Sequence, residues 1–158
     1  MSAARVVEGE VAASGRKIAI VAARFNDFIV TSLLKGATSA WLERGGAAED
    51  LLVARVPGAF ELPVAARRLA ACGRYDAVIA LGCVIRGGTP HFEYVAGACA
   101  RGLQQAGLET GVPVIFGVLT VDTVEQAIER AAVSAGNKGA EAVEAALEMA
   151  ALMARLGT

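Results

Sequence analysis

His91 is the only histidine in the chain, and it directly follows Arg86-Gly-Gly-Thr-Pro90. Imidazole is the one side chain whose ordinary pKa suits it to give and take protons near neutral pH. Gly87 and Gly88 permit a tight backbone turn that approaches a ligand closely. Thr89 and Pro90 suit the N-cap and first position of a helix, which places His91 in its first turn. A helix N-terminus offers free N–H groups and a positive dipole end to an anion. The chemistry this spacing supports is anion binding beside a proton-transfer group.

Other residues with chemical potential fall in separate short segments. Arg24-Phe25-Asn26, Ala59-Phe60-Glu61 and Phe116-Gly117 each combine an aromatic ring with polar or small neighbours, and Phe92 follows His91. Aromatic faces suit a planar ligand. Glu61 can accept hydrogen bonds from hydroxyl groups. Arg130 offers an always-charged guanidinium. Each also has an ordinary structural reading. Phe25 can plug a sheet edge, Phe60 and Phe92 can be core, and Glu61 can be a first-turn acid. Arg86 can be an ion-pair partner, Arg130 a solvated helix residue and Lys138 a turn residue.

Positioning these groups requires alternating strands and helices. Apolar runs predict strands at 17–22, 50–56, 77–81 and 112–119. Between them, apolar spacing predicts a helix from Asp27, as a plausible cap, to about Arg44, closed by Gly45-Gly46. A second helix follows Glu61, with Leu62, Ala65, Ala66 and Leu69 as its buried stripe, and ends at Cys72-Gly73. A third carries Val95, Ala96, Cys99 and Leu103. Asp122 with Glu125 resembles a capping box for a fourth, which carries Val124, Ala127, Ile128 and Ala131. The last, from about Ala140 to Leu156, has two apolar stripes, and the second suggests a partner helix or a neighbouring subunit. Such alternation gives a four-stranded parallel sheet with helices on both faces, a three-layer α/β sandwich of flavodoxin-like or Rossmann-like class. Ligands of such sheets bind outside the carboxyl ends of the strands, where the candidate segments fall. No linker or repeat divides the chain, so residues 1–158 read as one domain with an arm at 1–15. Within the arm, residues 5–11 read as either a short strand or a disordered stretch.

Composition narrows the function classes. A chain of 158 residues with 55% apolar residues and a mean hydropathy of +0.51 has more apolar surface than a soluble monomer needs. No run is long and unbroken enough to span a bilayer, which leaves self-association. The net charge is −1 with no basic stripe, so no nucleic-acid partner is expected. No signal pattern opens the chain, and a cytoplasmic location is expected. Cys72, Cys83 and Cys99 lack metal spacing and read as small hydrophobes. Neither a dinucleotide fingerprint nor a metal-ligand cluster is present, and no cofactor is expected.

Five segments, in order along the chain, are Ala23-Arg-Phe-Asn26, Val56-Pro-Gly-Ala-Phe-Glu-Leu-Pro63, Gly82-Cys-Val-Ile-Arg-Gly-Gly-Thr-Pro-His-Phe92, Phe116-Gly-Val-Leu-Thr120 and Gly136-Asn-Lys-Gly139. Together they resemble the lumazine synthase family of riboflavin synthesis, over nearly the whole chain from Lys17. The resemblance implies a flavodoxin-like fold. It also implies condensation of 5-amino-6-(D-ribitylamino)uracil with 3,4-dihydroxy-2-butanone 4-phosphate to 6,7-dimethyl-8-ribityllumazine, phosphate and water. Carried over by motif, Phe25 stacks on the pyrimidine, and Ala59, Phe60 and Glu61 hold the ribityl-aminouracil. Cys83, Val84 and Ile85 contact the pyrimidine largely through backbone groups. Gly88, Thr89 and Arg130 bind the phosphate, His91 moves protons, and Phe116 lines the pocket from an adjacent subunit. The implied partners are two small-molecule substrates and further copies of the chain, in a pentamer or a multiple of it. In the family the N-terminal arm adds a strand to a neighbour's sheet. Shell-forming members commonly have a Gly-Thr-Lys-type turn where this chain reads Ala132-Val-Ser-Ala135. The alternative reading is a non-catalytic flavin-binding or structural assembly member of the same fold.

Overall fold

Ile18–Ala23 contains no polar side chain and is buried along its whole length as the first strand, β1. In the computed structural model, which describes residues 3–132 and 136–157, it lies inside a parallel sheet with β2 (Leu51–Val56), β3 (Ala77–Ile85) and β4 (Val114–Val121). The order is β2-β1-β3-β4, which makes β2 and β4 the edges. The helices are α1 (Asp27–Glu43), α2 (Leu62–Ala71), α3 (His91–Thr110), α4 (Val124–Ala131) and α5 (Lys138–Leu156). Successive strand side chains point to opposite faces. Ile18, Ile20 and Ala22, with Ile79 and Leu81, pack against α1, α4 and α5. Val21, Ala23, Val78 and Ala80 pack against α2 and α3. Leu33, Leu147, Ile79 and Leu103 are fully buried, each stabilising the fold by roughly 1.5–3 kcal/mol. The predicted flavodoxin-like three-layer sandwich is the observed architecture.

Local details depart from expectation in informative places. β3 continues through Gly82 to Ile85, because β4 pairs with it up to Val121. The cap of α1 is Asn26, with Asp27 the first helical residue. The cap of α3 is Pro90, so Thr89 lies one residue outside. The capping box of α4 is built by Thr123 and Gln126, not Asp122 and Glu125. Thr123 Oγ1 accepts from the Gln126 N–H, and Gln126 Oε1 accepts from the Asp122 N–H. Val124 and Ile128 of α4 face outward, leaving Ala127 and Ala131 in the core. Residues 133–135 of the Ala132-Val-Ser-Ala135 segment lie outside the described residues.

α5 begins at Lys138, and its cap Asn137 is a buried polar residue, the one found among the described residues. Asn137 Nδ2 donates to the carbonyls of Ser32 (3.0 Å) and Ala131 (2.9 Å), and Oδ1 accepts from the Ala140 N–H (3.0 Å). One side chain thereby ties α1, the end of α4 and the start of α5. The close approach requires glycine on both sides. A Cβ at Gly36 would lie 2.1 Å from Asn137 Oδ1, and one at Gly139 would lie 1.9 Å from the Leu33 carbonyl oxygen.

Residues 3–13 form neither strand nor helix. They run along α5, where a Cβ at Gly9 would meet the Glu148 carbonyl oxygen, and Arg155 donates to Glu8 O and pairs with Glu10. No described helix is long and apolar enough to cross a membrane.

The three thiols differ sharply. Burial pushes Cys83 and Cys99 up to about 11, whereas hydrogen bonding from the Arg74 backbone and then its guanidinium lowers exposed Cys72. Only a thiolate is nucleophilic. Ellman's reagent at pH 8 should therefore titrate one thiol quickly in the native protein, and Cys72→Ser should remove that phase. A fast phase persisting in Cys72→Ser would contradict this burial pattern.

Candidate active site

The chain leaves β1 for β2 and then returns past β1 to β3. The direction of winding reverses between β1 and β3, the place where open parallel sheets form a ligand crevice. Asn26 spans that gap. Its Nδ2 donates to the Cys83 carbonyl oxygen at 2.7 Å, joining the exits of the two strands. Asn26 has φ 65° and ψ 48°, a left-handed conformation that asparagine tolerates better than most L-residues.

The residues before Asn26 are held from the other side. Arg24 N–H donates to Val56 O and Phe25 N–H to Pro57 O, at 2.8 and 2.9 Å. Arg55 donates through Nε to Ala22 O and through Nη2 to Ala23 O, at 3.3 and 3.4 Å. Phe25 is thereby projected off the end of the sheet, 68% exposed, although it is a large aromatic ring. A single 3-10 turn, Ala59–Glu61, follows β2 and presents Phe60 and Glu61 to the same space. The first turn of α3 brings His91 and Tyr94 from the opposite side.

These groups line one concavity of about 820 Å³. Phe25, Ala59, Phe60, Glu61, Cys83, Val84, Ile85 and His91, all expected at a site, meet there. Asn26, from the Arg24-Phe25-Asn26 segment but given no role of its own, also lines it, and so do Tyr94 and Val95, which were not expected. Tyr94 was legible from helical spacing, being three residues beyond His91 on the same face. Cys83 is held protonated by burial, so it contributes surface rather than a nucleophile. Gly88 and Thr89 lie in the exposed loop just before α3, outside the lining. Neither Gly87 nor Gly88 has a positive φ, and an added Cβ at either would meet nothing within 4 Å. The turn itself does not demand glycine, and the space beside it is open to a ligand.

Phe116 and Arg130 are elsewhere. Phe116 lies early in β4, paired with Ala80, and not at the carboxyl end of the strand, where the candidate segments were expected. With Arg130, Lys138 and Glu141 it lines a second concavity of about 370 Å³ beside that edge strand. Arg130 Nη1 donates to Gln126 O at 3.3 Å, and Lys138 pairs with Glu141 at 3.3 Å. One opening therefore has aromatic rings, a carboxylate and an imidazole. The other has two cations, an acid and an aromatic ring.

The model of the 6,7-dimethyl-8-ribityllumazine synthase family matches residues 15–154. The chain belongs to that family. Membership makes it a transferase of riboflavin biosynthesis that forms a lumazine from small-molecule substrates. A lumazine synthase needs a site for small molecules, and the larger concavity falls within the usual 300–1,000 Å³ of ligand pockets. The match spans every strand and helix from β1 onward except the last two residues of α5.

Proposed function

We propose that the chain condenses 5-amino-6-(D-ribitylamino)uracil with 3,4-dihydroxy-2-butanone 4-phosphate, giving 6,7-dimethyl-8-ribityllumazine, phosphate and water. The observation that carries this reading is the convergence of Phe25, Glu61 and His91 on one concavity at the β1–β3 crevice. Phe25 supplies a stacking face for the pyrimidine. Ala59, Phe60 and Glu61 hold the ribityl chain, with Glu61 accepting from its hydroxyls. Cys83, Val84 and Ile85 border the pyrimidine through backbone groups. His91 moves the protons that imine formation, phosphate loss and ring closure require. Gly88 and Thr89 bind the phosphate at the start of α3.

Phe116 and Arg130 serve a site on a neighbouring copy. Each site is then the larger concavity of one chain closed by the smaller, cationic one of the next, in a cytoplasmic ring of five chains or a multiple of five. Exposed Phe28, Leu108, Phe116 and Leu156 support self-association. Residues 1–158 act as one lumazine synthase domain, with 1–15 as its arm.

The first test is to mix both substrates with the protein and follow lumazine absorbance. A second tests the shared site. His91→Ala and Arg130→Ala chains should each be weakly active alone. Refolded together in equal amounts, they should regain activity, because about a quarter of the interfaces in a mixed ring combine two intact halves. Failure to regain activity in verified mixed rings would place both residues in one chain's site. No lumazine from the parent protein would favour a non-catalytic, flavin-binding or structural member of the fold.

A further inference from the structure

The loop that carries Gly88 and Thr89 is spanned by a group of charges outside the larger concavity. Arg86 leaves the end of β3, and its N–H donates to Val121 O at 2.8 Å. Its guanidinium Nε donates to Asp122 Oδ1 at 2.9 Å, while Nη1 pairs with Glu93 Oε1. The guanidinium also lies 4.4 Å from the ring centroid of Phe92, stacking on the residue next to His91. One side chain thus grips the end of β4 and the first turn of α3 simultaneously. The four residues between Arg86 and His91 are bracketed by these contacts.

We propose that Arg86 is a positioning residue for the reaction: it fixes the N-terminal turn of α3, and with it His91 and the Gly88-Thr89 loop, at the mouth of the larger concavity. This rests on the functional reading above. Two carboxylates engage Arg86 Nε and Nη1, and their hydrogen bonds hold its guanidinium all the more firmly charged. Its Nε and Nη1 are therefore engaged with protein carboxylates, which suits a positioning role more than that of the phosphate ligand. All three charged side chains are about half exposed or more, so the pairs contribute little to global stability. Their contribution is geometric, because a small displacement of an acid–base group or anion loop is strongly felt in catalysis. The same contacts reach further, since Asp122 directly precedes Thr123, the cap of the helix bearing Arg130.

Two measurements test this on the full-length protein. Amide hydrogen exchange reads the positioning without reference to activity. In Arg86→Met, exchange in the first turn of α3 should accelerate by about 10-fold or more while β1 and the centre of β3 stay unchanged. Steady-state kinetics reads the consequence. Arg86→Met should raise KM for the phosphate-bearing substrate and lower kcat, each by about 10-fold, with KM for the aminouracil within about twofold. The double variant Glu93→Gln/Asp122→Asn, which keeps Arg86, should reproduce both effects, and Arg86→Lys should restore part of each. Unchanged exchange at α3 in Arg86→Met would overturn the proposal, whatever the kinetics. So would a double variant that behaves like the parent while Arg86→Met does not, which would make Arg86 a direct phosphate ligand. A parent protein that forms no lumazine would remove the functional reading but leave the exchange result to decide the positioning.

Discussion

Substituting His91 by Ala should slow turnover by about 10²–10⁴-fold at saturating concentrations of both substrates. His91 is exposed in the first turn of α3 and belongs to neither core cluster, so the variant should fold normally. In the proposed reaction the protons travel between nitrogen and oxygen atoms at several steps, and no other imidazole exists in the chain. The loss should fall toward the lower end of the range. The aminouracil is itself a good nucleophile, and much of the catalysis comes from holding the two substrates together. Initial rates of lumazine formation, with circular dichroism to verify the fold, provide the measurement. Turnover equal to the parent's would dismiss His91 as the proton carrier.

The larger structural effect is expected at Gly139. A methyl group there would stand 1.9 Å from the Leu33 carbonyl oxygen and 2.7 Å from its carbon. Both are backbone atoms of α1, so no side-chain rotation relieves the clash, and α1 must separate from α5. That seam buries Leu33, Ala37, Val143 and Leu147. Overpacking usually costs about 1–3 kcal/mol, and a backbone-to-backbone clash belongs at the top of that range. For a chain of this length Gly139→Ala should lower Tm by about 6–12 °C. Gly87→Ala is the contrasting variant. An added Cβ there meets nothing, and its Tm should stay within about 2 °C. Differential scanning fluorimetry on the two variants compares them directly, and equal Tm values would refute the close contact between α1 and α5.

Much of this was legible from residue order. The strands announced themselves as short apolar runs, and the segments after β1, β2 and β3 do converge, because parallel winding brings strand ends to one edge. What was not legible has identifiable causes. Gly82 looked like the end of a strand, yet β3 runs on to Ile85 because β4, which ends two residues later than expected, pairs with it up to Val121. Asn26 stood within a quoted motif, but its left-handed backbone and its bond to Cys83, 57 residues away, are tertiary facts. Thr123 took the capping role from Asp122 because its hydroxyl, not the carboxylate, reaches the Gln126 N–H. Phe116 was expected to reach the site from an adjacent copy and Arg130 to bind its phosphate, and only the fold shows that both line a separate concavity beside β4, apart from His91 of the same chain. Pattern gives an element's presence well. It gives poorly which of its faces opens to which space.

The separation of the two concavities has a kinetic meaning. Where the imidazole and the cations of one site belong to different chains, an isolated chain carries parts of two sites and no complete one. The rate per mole of chain then depends on total protein concentration, and the kinetic order in enzyme rises above one wherever dilution dissociates the ring. A substitution far from either concavity that merely loosens neighbour contacts would mimic a catalytic defect at nanomolar enzyme and vanish at micromolar. Activity measured across a dilution series thus becomes an assembly isotherm.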